Sequence, residues 1–152
     1  MTGKRERRMA APAIVAVLAT VSGVGPLSAQ APARPAAAVH EIVLERRTSP
    51  VTEFRFVPAS VRARPGDILH FRVRSAAPHS VVFERAGLTA VAHRAWNTAL
   101  PARTGDLTGP LLRTNGAEYR VTVPDVAPGV YRYYCLPHRA YTMEGSIEVI
   151  AR

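Results

Sequence analysis

Short segments in which apolar and polar residues alternate occupy most of the chain after residue 38. In Ile68–Arg74, for example, Leu69, Phe71 and Val73 fall on one face, as the two-residue period of a half-buried β-strand requires. Turn sequences such as RPGD at 64–67 separate these segments. The predicted strands are Val39–Leu44, Phe54–Val57, Ala59–Arg64, Ile68–Arg74, Ser80–Glu84, Glu118–Val123, Val130–Cys135 and Gly145–Ile150. Short strands of this kind, separated by such turns, predict an all-β domain, either a sandwich or a barrel.

Residues 85–117 interrupt this pattern. A connection of this length without structure of its own is unusual in a compact domain. Within it, Leu88–Asn97 places Leu88, Val91 and Ala95 on one side of a helix. We therefore expect one short helix in the long 85–117 connection.

The first 29 residues have the layout of a secretory signal peptide. A basic start at 4–8 precedes a run of mostly small or apolar residues, Ala10–Leu27, and then the small residues Ser28 and Ala29. A permanent membrane anchor is the alternative, but a spanning helix needs about 20 apolar residues. This run contains two prolines and two glycines. We therefore expect cleavage after Ala29, export to a bacterial periplasm, and no stable membrane insertion after processing.

Residues 30–38, QAPARPAAA, form a Pro/Ala linker, and 39–152 has the size of one domain. The whole chain has 20 basic and 11 acidic residues, and removal of 1–29 leaves 16 arginines against 10 acidic residues. A net charge of +6 is moderate, and no arginine cluster interleaves with stacking aromatic residues. Binding to nucleic acid is therefore not supported, and a solvated basic surface is preferred.

The only cysteine of the chain lies in the stretch YYCLPHRAYTMEG, residues 133–145. An exported domain normally uses cysteines in pairs, so a single thiol is an inert core residue, a nucleophile or a metal ligand. The nucleophile interpretation lacks an acid or amide near Cys135 and His138 that would orient the histidine. A thiolate, an imidazole and the thioether of Met143 together suit copper better than Mg²⁺ or Ca²⁺.

A trigonal copper site of this kind requires a second histidine. His79 is the best candidate, because it lies in a turn directly before the strand Ser80–Glu84 and can reach the same end of the sheet as the 136–142 loop. His70 falls on the polar side of its strand, where a solvated side chain is expected. His40 is close to a terminus. His93, in the candidate helix, is the reserve candidate.

The sequence resembles the cupredoxins of the plastocyanin and pseudoazurin type. The similarity covers Phe54–Glu84, which contains PHSVVF, and Glu118–Ile150, which contains YYCLPHRAYTM. Thr142 departs from this pattern, since glycine commonly precedes the methionine, and 85–117 does not align. The resemblance implies a Greek-key β-sandwich that holds one type 1 copper per chain. The implied ligands are His79, Cys135, His138 and Met143.

The resemblance also implies the function: a soluble one-electron carrier between redox protein partners, with no enzymatic activity. A module that delivers or buffers copper is the alternative. In the family, the histidine of the C-terminal loop presents its ring edge through an apolar rim. The matching rim residues are Ala77, Pro78, Pro137, Ala140 and Tyr141, and the Ser80 backbone N–H is expected to point at the Cys135 sulfur. With Arg139 beside this patch, the partner is expected to have an acidic docking face.

Overall fold

The computed structural model describes residues 36–151, together with Thr2. The predicted signal peptide (1–29) and most of the predicted linker (30–38) lie outside the described residues. Among the residues that are described, no helix combines the length and the apolar character needed to cross a membrane.

Two four-stranded β-sheets make up the described domain. The strands are β1 (Val39–Arg47), β2 (Glu53–Val57), β3 (Ser60–Ala63), β4 (Ile68–Val73), β5 (Val82–Phe83), β6 (Glu118–Thr122), β7 (Gly129–Tyr134) and β8 (Glu144–Val149). Sheet 1 has the order β2-β1-β4-β6, and sheet 2 has the order β3-β8-β7-β5. β1 pairs in parallel with β4, and β3 with β8, while the remaining pairs are antiparallel. The predicted Greek-key β-sandwich is confirmed.

The predicted helix is present in the long connection as α1, Ala90–Ala99, which begins two residues later than the expected Leu88–Asn97. Thr89 caps its N-terminus by accepting a hydrogen bond from the third amide of the helix at 3.1 Å. The buried side chain of Trp96 stacks on Phe83 of β5, with ring centroids 4.1 Å apart. The helix is thereby packed onto the core beside sheet 2.

The inner faces of the two sheets form the hydrophobic core. Its fully buried side chains include Ile42, Leu44, Phe71, Val121 and Ile147. The ring of Tyr133 contacts Phe56, Phe71 and Phe83, with centroids 4.8, 5.5 and 5.8 Å away. Tyr133 lies near the end of β7, two residues before Cys135, so this aromatic cluster supports the end of the sandwich where the cysteine is found.

His70 is buried, with 9% of the residue exposed, so the expectation of a solvated side chain is wrong. Its Nε2 lies 3.0 Å from a carboxylate oxygen of Glu118. The outer face of sheet 1 carries long charged side chains that pair across strands, such as Arg72 with Glu41 at 2.5 Å. Alternation identifies the face on which a side chain lies, but it does not show how far its neighbours cover that face.

Candidate metal centre

His79, Cys135 and His138 meet at one end of the sandwich. One side-chain nitrogen or sulfur from each lies within 4.8 Å of the others. Cys135 Sγ is 3.5 Å from Nδ1 of His79 and 3.4 Å from Nδ1 of His138. Three donors from two separate segments therefore face a common point, a spacing that suits ligation of one metal ion.

His79 is held in one orientation by its backbone and by its ring. Its backbone N–H donates to Leu112 at 3.0 Å and its carbonyl accepts from the same residue at 2.7 Å. Its Nε2 lies 2.9 Å from the Ser75 carbonyl oxygen, which can only accept. Nε2 therefore carries the proton, and the lone pair of Nδ1 faces Cys135. Burial lowers the pKa of His79, against the opposing effect of the Ser75 hydrogen bond, and this favours the neutral ligand form.

The segment 85–117, from which the resemblance implied nothing, supplies the backbone partner of His79. After α1 the chain returns to the strand that follows His79, where the Gly109 N–H donates to Val81 at 2.9 Å and the Phe83 N–H to Leu107 at 2.9 Å. Leu107 and Leu112 are buried. The long connection thus fixes the turn that presents His79, and periodicity alone does not reveal a contact of this kind.

Cys135, His138 and Met143 are brought together by a short 3₁₀ segment, Leu136–Tyr141. The His138 N–H donates to the Cys135 carbonyl at 3.2 Å, and the Cys135 N–H donates to the Met143 carbonyl at 3.0 Å. Thr142 closes the loop with φ 54° and ψ 34°, in the left-handed region that favours glycine. This conformation explains physically why glycine is common at that position. Cys135 and Met143 are both 0% exposed.

The sulfur of Cys135 accepts a hydrogen bond from the Ser80 backbone N–H at 3.4 Å, as expected. The Ser80 hydroxyl in turn accepts from the Leu136 N–H at 3.1 Å. Burial raises the pKa of the Cys135 thiol, and the hydrogen bonds from Ser80 and from the His138 backbone oppose that rise. A buried thiol without an adjacent cation is a poor nucleophile, whereas a bound metal deprotonates a thiol outright.

His138 is more covered than the predicted rim implies, with 9% of the residue exposed. Of the predicted rim, Pro78, Pro137, Ala140 and Tyr141 are exposed and Ala77 is half-buried. Sequence reasoning missed Phe54 of β2, which stacks on the His138 ring with centroids 3.9 Å apart and planes 13° apart. Burial, and then the neighbouring His79, lower the pKa of His138.

Besides His70, two other histidines were considered as ligands, and both lie elsewhere. His93, the reserve candidate, has its Nε2 2.9 Å from a carboxylate oxygen of Asp106. His40 has its Nε2 3.0 Å from Asp67. Neither belongs to the cluster that contains Cys135.

Arg139, beside the rim, is bound on three sides. Its guanidinium lies 2.8 Å from Glu84 and 3.6 Å from Glu144, and it stacks over the Tyr134 ring at 3.9 Å. Its charge is therefore largely compensated. Arg46 and Arg113 differ, because neither guanidinium pairs with a carboxylate within residues 36–151.

The chain is similar to known copper-binding proteins. The sequence model described as "Copper binding proteins, plastocyanin/azurin family" matches residues 46–150. The chain is 33% identical over 128 residues to plastocyanin from Synechococcus sp. (strain JA-2-3B'a(2-13)), covering 83% of this chain and 85% of that protein. It is 30% identical over 94 residues to plastocyanin from Prochlorothrix hollandica, covering 62% of each. Oxidised plastocyanin from Dryopteris crassirhizoma has the same fold, with a TM-score of 0.58 at 22% identity over 73% of this chain and 100% of that one. The chain therefore belongs to the plastocyanin/azurin family of copper-binding proteins, and copper is its cofactor.

Proposed function

We propose that His79, Cys135, His138 and Met143 hold one type 1 copper, and that the protein is an exported carrier of single electrons. The observation that carries this proposal is the convergence of two imidazole Nδ1 atoms on one buried sulfur, at 3.5 and 3.4 Å. Two histidines and one cysteine in a trigonal arrangement, with a weak methionine ligand, are typical of electron-transfer copper sites.

Bound copper supplies reversible one-electron chemistry between Cu(II) and Cu(I). Cys135 would provide the thiolate, His79 and His138 the two imidazole nitrogens, and Met143 the fourth, weaker donor. Three of these residues are 0% exposed, so the site excludes water and leaves no open position for a substrate. Donors held by sheet ends and hydrogen-bonded loops move little, which keeps the reorganisation energy of electron transfer low.

The same closure argues against copper delivery as the main role. A delivery site exchanges its metal with a partner, which requires accessible ligands, whereas here only His138 approaches the surface. Export to the periplasm is part of the proposal and is supported by the signal-like sequence of 1–29.

Electrons are proposed to pass through the rim around His138 to partners with an acidic docking face. Arg46 and Arg113 lie at this end of the domain: the Arg46 N–H donates to Ser75 at 2.9 Å, and Arg113 follows the residue paired with His79. With Arg139 compensated by its two glutamates, these two arginines carry the positive charge that steers an acidic partner. The steering charge is therefore proposed to come from Arg46 and Arg113 rather than from Arg139.

The visible spectrum of the copper-loaded protein tests the ligand set. An intense blue or green absorption is expected from thiolate-bound Cu(II), and Cys135→Ser should abolish it because a hydroxyl does not ionise as a thiol does. A colourless wild-type protein, or a coloured Cys135→Ser variant, would refute the assignment.

Electron-transfer rates to an acidic cytochrome, measured against ionic strength, test the docking face. Arg113→Glu should slow the reaction at low salt, and Ala140→Glu should slow it at all salt concentrations by placing a charge in the rim. Arg120→Glu, in the middle of β6, is the matched charge control. Equal rates for all three variants would exclude this end of the domain as the docking surface.

A further inference from the structure

The two histidines of the metal centre are oriented in different ways. The Nε2 of His79 is fixed by the Ser75 carbonyl at 2.9 Å. Across residues 36–151, no hydrogen bond is made by the Nε2 of His138. A histidine that binds a metal almost always donates its second ring N–H to a fixed acceptor, and this bond sets the ring plane. The ring plane of His138 therefore needs another restraint.

The backbone of His138 does not supply that restraint. The residue lies at a kink in the 3₁₀ segment, with non-helical φ −115° and ψ 23°. Its carbonyl accepts a long hydrogen bond, 3.4 Å, from the Met143 N–H, and it shares the Thr142 N–H with the Arg139 carbonyl. Backbone bonds of this kind locate the Cα atom, but they leave rotation of the imidazole about its Cβ–Cγ bond free.

Phe54 restrains that rotation. Its ring lies 3.9 Å from the His138 ring and only 13° from parallel with it, so turning the imidazole would drive its edge into the phenyl face. Phe54 belongs to β2 in sheet 1, whereas the His138 loop extends from β7 in sheet 2. It is anchored by pairing opposite Arg46 and by packing against the core. A strand is a more rigid support than the exposed loop that carries His138.

We infer that Phe54 is the positioning residue for His138, and that its ring performs the orienting role that a hydrogen-bond acceptor performs for His79. The inference rests on the proposed function, in which His138 is a copper ligand. It predicts that the imidazole keeps its plane in the copper-free protein, so that Nδ1 already faces Cys135 before the metal arrives.

A flat aromatic ring can fix the plane of the imidazole, whereas a side chain that only covers the imidazole cannot. A leucine at position 54 would fill similar space and exclude water, but it offers no flat face to define a plane. A tyrosine would keep the face. The comparison of Phe54→Leu with Phe54→Tyr therefore separates orientation from packing. Phe56→Leu is the matched control, because Phe56 lies on the same face of β2 and packs against Phe71 and Tyr133.

Nuclear magnetic resonance of the copper-free full-length mature chain gives the direct measurement. In the wild type, ring current from Phe54 should shift the His138 ring protons upfield. Phe54→Leu should remove that shift and broaden the resonances as the His138 ring samples other planes. Phe54→Tyr should keep the upfield shift and the narrow lines. Phe56→Leu should lower thermal stability and leave the His138 ring resonances in place.

Copper binding gives the second measurement. Phe54→Leu should weaken copper affinity by about tenfold, the lower end of the effect seen when a ligand-orienting contact is lost. Phe54→Tyr should keep the wild-type copper affinity. Equal affinities for all variants together with unchanged His138 resonances in Phe54→Leu would overturn the inference. A wild-type protein that lacks the thiolate absorption would instead refute the proposed copper site, so the two failures are distinguishable.

Discussion

Gly145 is expected to be intolerant of even one added methyl group. It pairs with Tyr133 across β7 and β8, and a Cβ built at Gly145 would lie 2.5 Å from the Tyr133 Cζ and hydroxyl oxygen. Tyr133 is 1% exposed and is packed against three other aromatic rings, so its ring has no free space to move into. The Tyr133 ring therefore occupies the space that a side chain at position 145 would need.

Overpacking of this kind costs about 1–3 kcal/mol, and a contact with a ring fixed by the core belongs at the upper end. For a domain of this size, a loss of about 3 kcal/mol lowers the melting temperature by about 12 °C. Calorimetry or thermal denaturation followed by circular dichroism would measure the change in Gly145→Ala. We also expect the visible absorption of the copper site to change, because Tyr133 is two residues from Cys135.

Gly129→Ala is the matched control. Gly129 lies in the same strand pair, opposite Val149, and a Cβ there would meet nothing within 4 Å. Gly129→Ala should change the free energy of unfolding by about 1 kcal/mol or less, so the melting temperature of this variant should stay close to that of the wild type. In a Tyr133→Leu background, where no ring faces position 145, Gly145→Ala should cost much less than in the wild type. Equal melting temperatures for Gly145→Ala and Gly129→Ala would refute the steric argument.

Three further results are expected. Met143→Leu should leave copper bound and raise the reduction potential measured by voltammetry, because a weak donor to Cu(II) is lost; an unchanged potential would exclude Met143 as the axial ligand. Glu45 accepts hydrogen bonds from Arg55 at 2.6 Å and Arg74 at 2.7 Å, and the Arg55 bond lowers the pKa of Glu45 against the opposing effect of burial. Glu45→Gln should therefore lower the free energy of unfolding by about 1–2 kcal/mol at pH 7. This difference in stability between variant and wild type should persist above the unfolded-state pKa of about 4.3, and it should vanish as the pH falls through the lower pKa of Glu45 in the folded state. A difference that grew in acid would contradict this. Sequencing of the mature N-terminus should find Gln30, and retention of Met1 would contradict the predicted cleavage.

The order and type of the secondary-structure elements could be predicted from the sequence because each strand is marked by local alternation and each turn by proline or glycine. Strand bounds depend on pairing partners, which are distant in sequence. β1 extends to Arg47, beyond the predicted Leu44, because Glu53–Val57 pairs with its second half. β5 is reduced to Val82–Phe83, because the neighbouring backbone groups pair instead with the segment that returns from α1.

Three of the predicted donors, His79, Cys135 and His138, lie together. They could be identified from the sequence because chemistry restricts which residue types can hold copper, and such residues are rare in the chain. The residues that orient those donors are of common types. Phe54 reads as an ordinary strand residue, and Ser75 acts through its carbonyl, a group that every residue has. The environment of His70 was predicted wrongly for a related reason, since its burial depends on side chains from neighbouring strands.

The metal centre is supported from both sheets, and this determines how copper loading relates to folding. His79 is fixed by backbone pairing with Leu112, the Cys135 loop by its bonds to Met143, and His138 by a ring that belongs to the opposite sheet. All of these contacts are made between groups of the protein itself. Copper binding is therefore expected to add to the stability of an already folded domain, in proportion to the logarithm of the copper concentration relative to the dissociation constant. A site assembled in advance from rigid parts also has little freedom to relax between the two copper oxidation states, and this is the property that favours an electron carrier over a copper donor.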